Sequence, residues 1–432
     1  MYNPPSKAAT SLAETVPGFV ERRFRKAWVL AALTVVAYMA AVNRAQPLVW
    51  ALAALLLAAL MIGFLWPMWL VRRLEVVRAG PARAVEGESI TLRVSLRNGG
   101  WLPRYMIEVT DTLPFVGAAV GQRAILPVLL GQVAMVPGGG ERGFDIPVVC
   151  EKRGRYRLGP VGVSTSFPLG LVEVRGLGHE GRQELVVYPE IFSIVGLPLA
   201  GTLYLMHRGG LLLPDGNGQA EFRNLREYRP GDNPKHVHWP SSSRLNTLVV
   251  KEFEPLAGAA LALILDLGDK SHVGQGKRHT LEYMIKIAAS MAAYACARGM
   301  PVRLLGQGAS PVDIPAASGE LHYLQLLDVL AVVEADGAMP YGQVLARAAL
   351  GILPGENMVV FLSGRETEME SVIGELAMLR ARGGHVLAVL FDRESFTAPQ
   401  LPCREIPSAL LELGIPVIQV RCDDDLVQCF NG

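Results

Sequence analysis

The densest run of chemically capable residues lies between positions 221 and 254. Glu221-Phe222-Arg223-Asn224-Leu225-Arg226-Glu227-Tyr228-Arg229-Pro230-Gly231-Asp232 leads into Asn233-Pro234-Lys235-His236-Val237-His238-Trp239, and Ser241-Ser242-Ser243-Arg244 follows. His236 and His238 stand at i and i+2, which puts both rings on one side of an extended segment. With Asp232 they make a candidate three-donor metal site, since imidazole and carboxylate are ordinary zinc ligands. A histidine beside Ser241, Ser242 or Ser243 would instead pair a base with a hydroxyl nucleophile, although no nucleophile elbow frames these serines. Arg223, Arg226, Arg229, Lys235 and Arg244 form a candidate anion or peptide site, because guanidinium groups grip carboxylates and phosphates through paired hydrogen bonds. A further arrangement needs no ligand. The planar arginine forks and the carboxylates lock the segment into an ion network between two domains. Glu221, Arg226, Glu227, Tyr228, Asp232, His236, His238, Trp239 and Arg244 are assigned to this network or to a partner, and no residue is assigned to catalysis.

The elements that must position these residues start with the composition. Of 432 residues, 50% are hydrophobic and 19% charged, and the mean hydropathy is +0.29. Disorder over most of the chain is excluded, because disordered chains are poor in apolar residues. Collagenous and disulfide-scaffold classes are excluded by 45 glycines and five cysteines. A net charge of +1 gives no case for nucleic acid. The cysteines (Cys150, Cys296, Cys403, Cys422 and Cys429) form no CxxC pair. Their odd number fits reduced thiols in a cytoplasmic setting, and zinc is not expected.

The apolar excess sits near the N-terminus. Residues 27–42 and 48–70 carry no charge. The second run is long enough to cross ~30 Å of hydrocarbon as a helix, and Arg25 and Lys26 extend the first by snorkelling. The short connection around Asn43–Pro47 makes residues 27–70 a transmembrane hairpin. Trp28, Trp50, Trp66 and Trp69 fall near the span ends, where aromatic belts form. Lys7, Arg22, Arg23, Arg25 and Lys26 precede the hairpin and Arg72, Arg73 and Arg78 follow it, against Arg44 alone in the connection. The positive-inside rule therefore places residues 1–26, the remainder of the chain and both termini in the cytoplasm, in a multi-pass protein of the inner membrane.

Residues 74–195 switch to period two. Ile90, Leu92, Val94 and Leu96 alternate with polar neighbours, and Asn98-Gly99-Gly100 is a turn signal. Further strands are expected over 105–110, 144–150, 156–158, 161–164 and 171–174, which together favour a β-sandwich used for packing or interaction. Residues 201–255 link it to the last unit. Residues 256–432 alternate apolar strands (259–265, 302–305, 358–362, 385–391, 416–420) with helical patterns, the sign of a doubly wound α/β domain. A site in such a fold lies at the strands' carboxyl ends, which here carry Asp266, Asp269, Ser363 and Asp392. Gly274-Gln275-Gly276-Lys277 is not a phosphate loop, because Ser271 stands where its first glycine belongs and Arg278 where a magnesium-binding hydroxyl is required.

The stretch 221–254 resembles the signature of the domain-of-unknown-function-58 family. It supplies Glu221-Phe222, Leu225-Arg226-Glu227-Tyr228, Pro230-Gly231-Asp232, Val237, Trp239 and Arg244, and the order of paired spans, β-rich region, signature and α/β unit resembles the same family. The resemblance implies a membrane-anchored bacterial protein whose last unit is von Willebrand factor A-like and which is associated with, and often encoded beside, a MoxR-type AAA+ ATPase, a candidate protein partner. It implies no settled activity. His236 and His238 stand where that pattern carries Arg and Asp. Metal-binding von Willebrand A domains use Asp-x-Ser-x-Ser; here the run is Asp266-Leu267-Gly268-Asp269-Lys270, and Ser363-Gly364-Arg365 replaces the later Thr-Asp-Gly-like turn. Asp266, Asp269 and Ser363 are thus a degenerate metal set, and no cofactor is expected, magnesium being the one ion the pattern leaves open. The expected function is a membrane-anchored, non-enzymatic scaffold docking a protein partner. Its rivals are a hydrolase or metal site at Asp232, His236 and His238, and a magnesium-dependent receptor.

Overall fold

The computed structural model describes residues 19–44, 46–116, 127–177, 183–199, 220–227, 239–245, 247–255, 260–351, 355–363, 366–397 and 405–431. The chain divides into two compact units, Met1–Glu190 and Ile191–Gly432.

In the first unit, α1 (Phe19–Arg44) and α2 (Pro47–Val71) are consecutive apolar helices. Within them, Lys26–Arg44 and Pro47–Val71 are each long and apolar enough to cross a membrane. They meet through small residues, Ala37, Ala41 and Ala53, flanked by Val49 and Leu56. Small side chains let helix backbones approach closely. Tyr38 closes the contact edge-on against Trp50, with ring centroids 5.9 Å apart. Many apolar side chains of both helices are exposed, including Val36, Leu48, Leu55 and Phe64.

Strands β1 (Leu74–Ala79), β2 (Arg83–Val85), β3 (Ser89–Asn98), β4 (Arg104–Asp111), β5 (Val128–Val136), β6 (Glu141–Val149), β7 (Gly154–Leu158), β8 (Gly162–Thr165), β9 (Val174–Leu177) and β10 (Gln183–Tyr188) make a strand-rich domain. Its sheets run β1-β3-β6, β2-β10-β7 and β5-β4-β8-β9. The alternation read in β3 holds: Ile90, Leu92, Val94 and Leu96 are buried in one core with Ile107, Val109, Phe115 and Leu185. The turn after β3 is held by Asn98, whose Nδ2 donates to Leu102 O (2.8 Å) and whose Oδ1 accepts from Gly100 N (2.9 Å). The strand expected at 171–174 begins only at Val174. Ser166–Gly170 forms a turn instead, closed by Gly170 N donating to Ser166 O at 2.8 Å, and Leu171 is buried against α2 at Gly63.

The second unit opens with residues 191–199, which pack on its helices: Phe192 N donates to Ser290 Oγ at 3.0 Å, and the Phe192 and Phe430 rings are 5.5 Å apart. Strands β11 (Ala220–Glu227) and β12 (Val249–Pro255) pair antiparallel around α3 (Trp239–Leu245). Then follow β13 (Leu261–Leu265), the short hairpin β14 (Gly274–Gln275) and β15 (Arg278–His279), α4 (Thr280–Ala297), β16 (Val302–Gln307), β17 (Pro311–Ala317), α5 (Glu320–Val332), α6 (Tyr341–Ala349), β18 (Asn357–Leu362), α7 (Glu366–Ala381), β19 (His385–Phe391), α8 (Arg393–Phe396), α9 (Glu405–Glu412), β20 (Val417–Val420) and α10 (Leu426–Asn431). The six-stranded sheet has the order β17-β16-β13-β18-β19-β20, all parallel except β17. Every side chain of β13 and β18 is buried, as a parallel sheet covered by helices requires. The edge strand β17 and helix α6 were not foreseen. Counted along the chain, the strand order is 3-2-1-4-5-6, so the sheet changes direction between β13 and β18. That is where this architecture opens a crevice.

Candidate functional site

The 221–254 stretch is a ribbon and helix. Glu221, Arg226 and Glu227 lie on β11, opposite Glu254, Val250 and Val249. A bulge between Phe222 and Asn224 shifts the register, which breaks period two and accounts for the missing strand pattern. Tyr228, Asp232, His236 and His238 lie outside the described residues, as do Arg229 and Lys235. Trp239 opens α3 and is 67% exposed; Arg244 near its end is exposed too. Ser242 is buried, and its Oγ accepts from Val249 N (2.9 Å) and donates to Val249 O (3.4 Å). That hydroxyl ties α3 to β12 and is not presented as a nucleophile.

The second set converges at the sheet's switch point. Asp266 follows β13 and Ser363 follows β18, and both are buried. Ser363 Oγ donates to Asp266 Oδ2 at 3.1 Å, and Gly268 N donates to Asp266 Oδ1 at 3.1 Å. Behind the carboxylate, the Asp266 carbonyl lies 2.7 Å from His272 Nε2, and His272 Nδ1 lies 3.0 Å from Thr280 Oγ1. A neutral ring carrying its proton on Nε2 satisfies both contacts, with the threonine hydroxyl as donor to Nδ1. Tyr341 on α6 donates to Ile264 O (2.8 Å) and accepts from Phe361 N (3.3 Å), so one hydroxyl bridges β13 and β18. Complete burial, and then the Asp266 charge, push that phenol well above its ordinary value. It is held as a neutral hydrogen-bonding group. Arg393 donates from Nη1 to Ser271 O at 2.8 Å, across the mouth of the same loop.

Asp269 and Asp392 do not join this pair. Asp269 is exposed, and its backbone N donates to Gly337 O. Asp392 pairs with Arg421 at 3.3 Å. Among the described residues, no group of three or more His, Cys, Asp and Glu is placed to hold a metal ion.

Residues 224–384 match the family described as protein of unknown function DUF58. This region belongs to the DUF58 family. The DUF58 region contains Trp239, Arg244, Asp266, His272, Tyr341 and Ser363. The chain is similar to the uncharacterized protein YeaD of Bacillus subtilis (strain 168), with 24% identity over 323 residues that span 70% of this chain and 72% of that protein. Among solved structures, it is similar to the CARDB domain of a Pyrococcus furiosus protein in complex with di-metal ions (14% identity, 26% of this chain and 86% of that one, TM-score 0.19). It is also similar to a beta-glucosidase from Listeria innocua (17% identity, 26% of this chain and 16% of that one, TM-score 0.18).

Octahedral magnesium takes six oxygens. Asp266 and Ser363 bring oxygens, but both Asp266 oxygens already accept from protein donors. Gly268 has no side chain to offer where the metal-binding pattern has a serine, and a methyl there would lie 2.5 Å from Ser271 Oγ. Sequence reasoning found Asp266 and Ser363 but missed His272, Thr280 and Tyr341. The signal for His272 and Thr280 was their place between the first strand and its helix. Tyr341 lay in a stretch with no assigned element.

Proposed function

We propose that this protein is a membrane-anchored, non-enzymatic scaffold that docks a protein partner through its DUF58 region. The observation that carries this is the exposure of Trp239 and Arg244 on α3. Tryptophan and arginine are the residue types most enriched where binding energy concentrates in protein interfaces. A tryptophan two-thirds exposed to water beside a paired ribbon is apolar surface awaiting a cover. In this proposal the two apolar helices are a multi-pass anchor in the inner membrane with both termini in the cytoplasm. The strand-rich domain is a β-sandwich that carries the second unit, and that unit is a von Willebrand factor A-like fold. The closed Asp266–Ser363 pair supports a binding rather than a catalytic role, since its carboxylate is held by fixed donors. The partner class that fits best is a MoxR-type AAA+ ATPase.

The test is capture of the full chain from solubilised membranes, with partners identified by mass spectrometry, followed by binding of the purified ATPase to wild type and to Trp239→Ala. Loss of a hot-spot tryptophan weakens binding by about 2 kcal/mol or more, roughly thirtyfold. Repeated failure to recover any AAA+ protein, or equal binding by Trp239→Ala, would sink the proposal. The meeting of Asp266 with Ser363 favours a second reading, a magnesium-dependent receptor. It requires Ser363 to turn its hydroxyl from the carboxylate to an ion, and titration with magnesium decides it.

A further inference from the structure

We infer that the end of the strand-rich domain beside α2 is a membrane-docking face, with Trp101 and Leu169 seated in the lipid headgroup and acyl boundary. The inference rests on the spanning of the bilayer by α1 and α2 proposed above. Depth comes from the helix pairing. Tyr38 packs against Trp50; twelve residues back along α1 is Lys26, and twelve on along α2 is Ile62. Both helices rise 1.5 Å per residue, so Lys26 and Ile62 share a level. Lys26 is exposed and begins the first apolar window. A lysine at a span end sends its ammonium group to the interface. The inner interface therefore begins near Ile62 and Gly63 and runs along α2 to its aromatic end at Trp66 and Trp69.

The domain reaches that level. Leu171 and Leu169 lie against Gly63, where an added methyl would stand 2.5 Å from Leu171 Cδ1 and 3.5 Å from Leu169 Cδ1. Gly63 is eight residues before the last residue of α2, Val71, so the Ser166–Gly170 turn reaches back about 12 Å along the helix. Leu169 at its tip is 46% exposed. The turn suits an interface: Gly170 N donates to Ser166 O, Phe167 N donates to Thr165 Oγ1, and Pro168 has no N–H. Three of its backbone N–H positions thus need no water, which lowers the cost of desolvating the turn.

A second loop stands at the same end. Gly99 N donates to Arg73 O (2.9 Å) and Arg104 Nη1 donates to Trp69 O (2.7 Å), which ties the β3–β4 turn to the foot of α2. Trp101 at the tip of that turn is 82% exposed. Arg72 and Arg73 are exposed just past the end of α2, beside this loop, and cationic side chains are drawn to anionic headgroups. Tryptophan beside a span end, an aliphatic tip and two arginines are the composition of a membrane interface.

The test uses the full chain in vesicles of phosphatidylcholine and phosphatidylglycerol. Cys296, Cys403, Cys422 and Cys429 are replaced by serine, and buried Cys150 is kept. An environment-sensitive fluorophore is placed in separate proteins at L169C, W101C, L55C in mid-span and K152C at the far end of the domain. Lipid-borne nitroxides act as quenchers. The expected result is blue-shifted, nitroxide-quenched emission at L169C and W101C, deeper quenching at L55C and none at K152C. If L55C is quenched while L169C or W101C is not, the docking face is overturned and the anchor stands. A blue shift without lipid quenching counts the same way, since protein rather than lipid then covers the site. If L55C itself is unquenched, the anchor fails and the docking face with it.

Discussion

Ser363 and Asp266 are 97 residues apart in sequence, yet the hydroxyl of one donates to the carboxylate of the other at 3.1 Å. They end neighbouring parallel strands at the point where the strand order reverses. The arrangement makes the crevice a structural junction. One carboxylate holds the loop after β13 through Gly268 and the end of β18 through Ser363, and Tyr341 pins the same two strands from α6.

Replacing Ser363 by alanine leaves a buried carboxylate oxygen short of a donor. A hydrogen bond to a charged group is worth about 1.5–3 kcal/mol, so Ser363→Ala should lower the stability of the second unit by roughly that amount. Ser363→Thr, which keeps the hydroxyl, should recover much of it. Denaturant unfolding of the full chain in detergent, followed by hydrogen exchange at β13 and β18, reads the effect. Equal stability of wild type and Ser363→Ala would show that the bond contributes nothing.

Magnesium should shift the unfolding midpoint of the wild type no more than it shifts that of Asp266→Ala. A ligand bound to the native state alone stabilises it by about 2.7 kcal/mol at a hundred times its dissociation constant. That effect is measurable by thermal unfolding in millimolar magnesium against a chelator. A midpoint rise present in wild type and absent in Asp266→Ala would revive the receptor reading.

The strand-rich domain has an acid response whose sign can be worked out. Arg78 and Asp111 form a buried ion pair. Burial raises the Asp111 carboxyl above 3.8 and outweighs the opposing pull of Arg78 and the Thr112 amide. A raised folded value means that stability linked to Asp111 is fully present below about 3.8 and declines as pH rises from there through the folded value. Asp145 is opposite: its hydrogen bond from Arg93 lowers it, so its contribution is present above the ordinary value and lost as pH falls. Acid unfolding should therefore soften in Asp145→Asn. Asp111→Ala should cost about 3–5 kcal/mol at neutral pH by removing the buried carboxylate that pairs with Arg78, with a deficit that widens on acidification, because the wild type gains the stability linked to Asp111 and the variant does not. Midpoints from pH 3 to pH 7, read by far-ultraviolet circular dichroism, would refute this if the deficit of Asp111→Ala shrank toward the acid end.

Much of this fold was legible because period and burial agreed. Ile90 to Leu96 alternate because one face of β3 meets a core, and residues 259–265 read as continuous apolar because β13 is covered on both sides. The switch-point residues were legible as polar endings of apolar strands. The ribbon of β11 and β12 was not, because a bulge interrupts its alternation and its charges mask the rest. Strand β17 was missed because its faces are largely exposed, leaving no apolar side to betray it. The pairing of Asp266 with Ser363 depends on which strands are neighbours, and local period carries no information about that.

The last prediction concerns the joint between α2 and the strand-rich domain. Arg104 is buried, stacks over the Trp69 ring at 3.8 Å and donates to Trp69 O at 2.7 Å. Stacking on the ring while donating to the carbonyl needs a planar group with several donors, which lysine lacks. Burial, and then the charge of Arg73, already lower Arg104 from its usual value. An ammonium group in the same place deprotonates far more readily, so Arg104→Lys loses charge as well as stacking. The carbonyl at the helix end then loses a charged donor, about 1.5–3 kcal/mol of local stability, or tenfold or more in opening. Hydrogen exchange at Gly99, whose amide bonds Arg73 O, should accelerate by that factor in the full-length protein, while exchange in β13 stays unchanged. An unaltered rate at Gly99 would mean that the helix end is held by its apolar contacts alone.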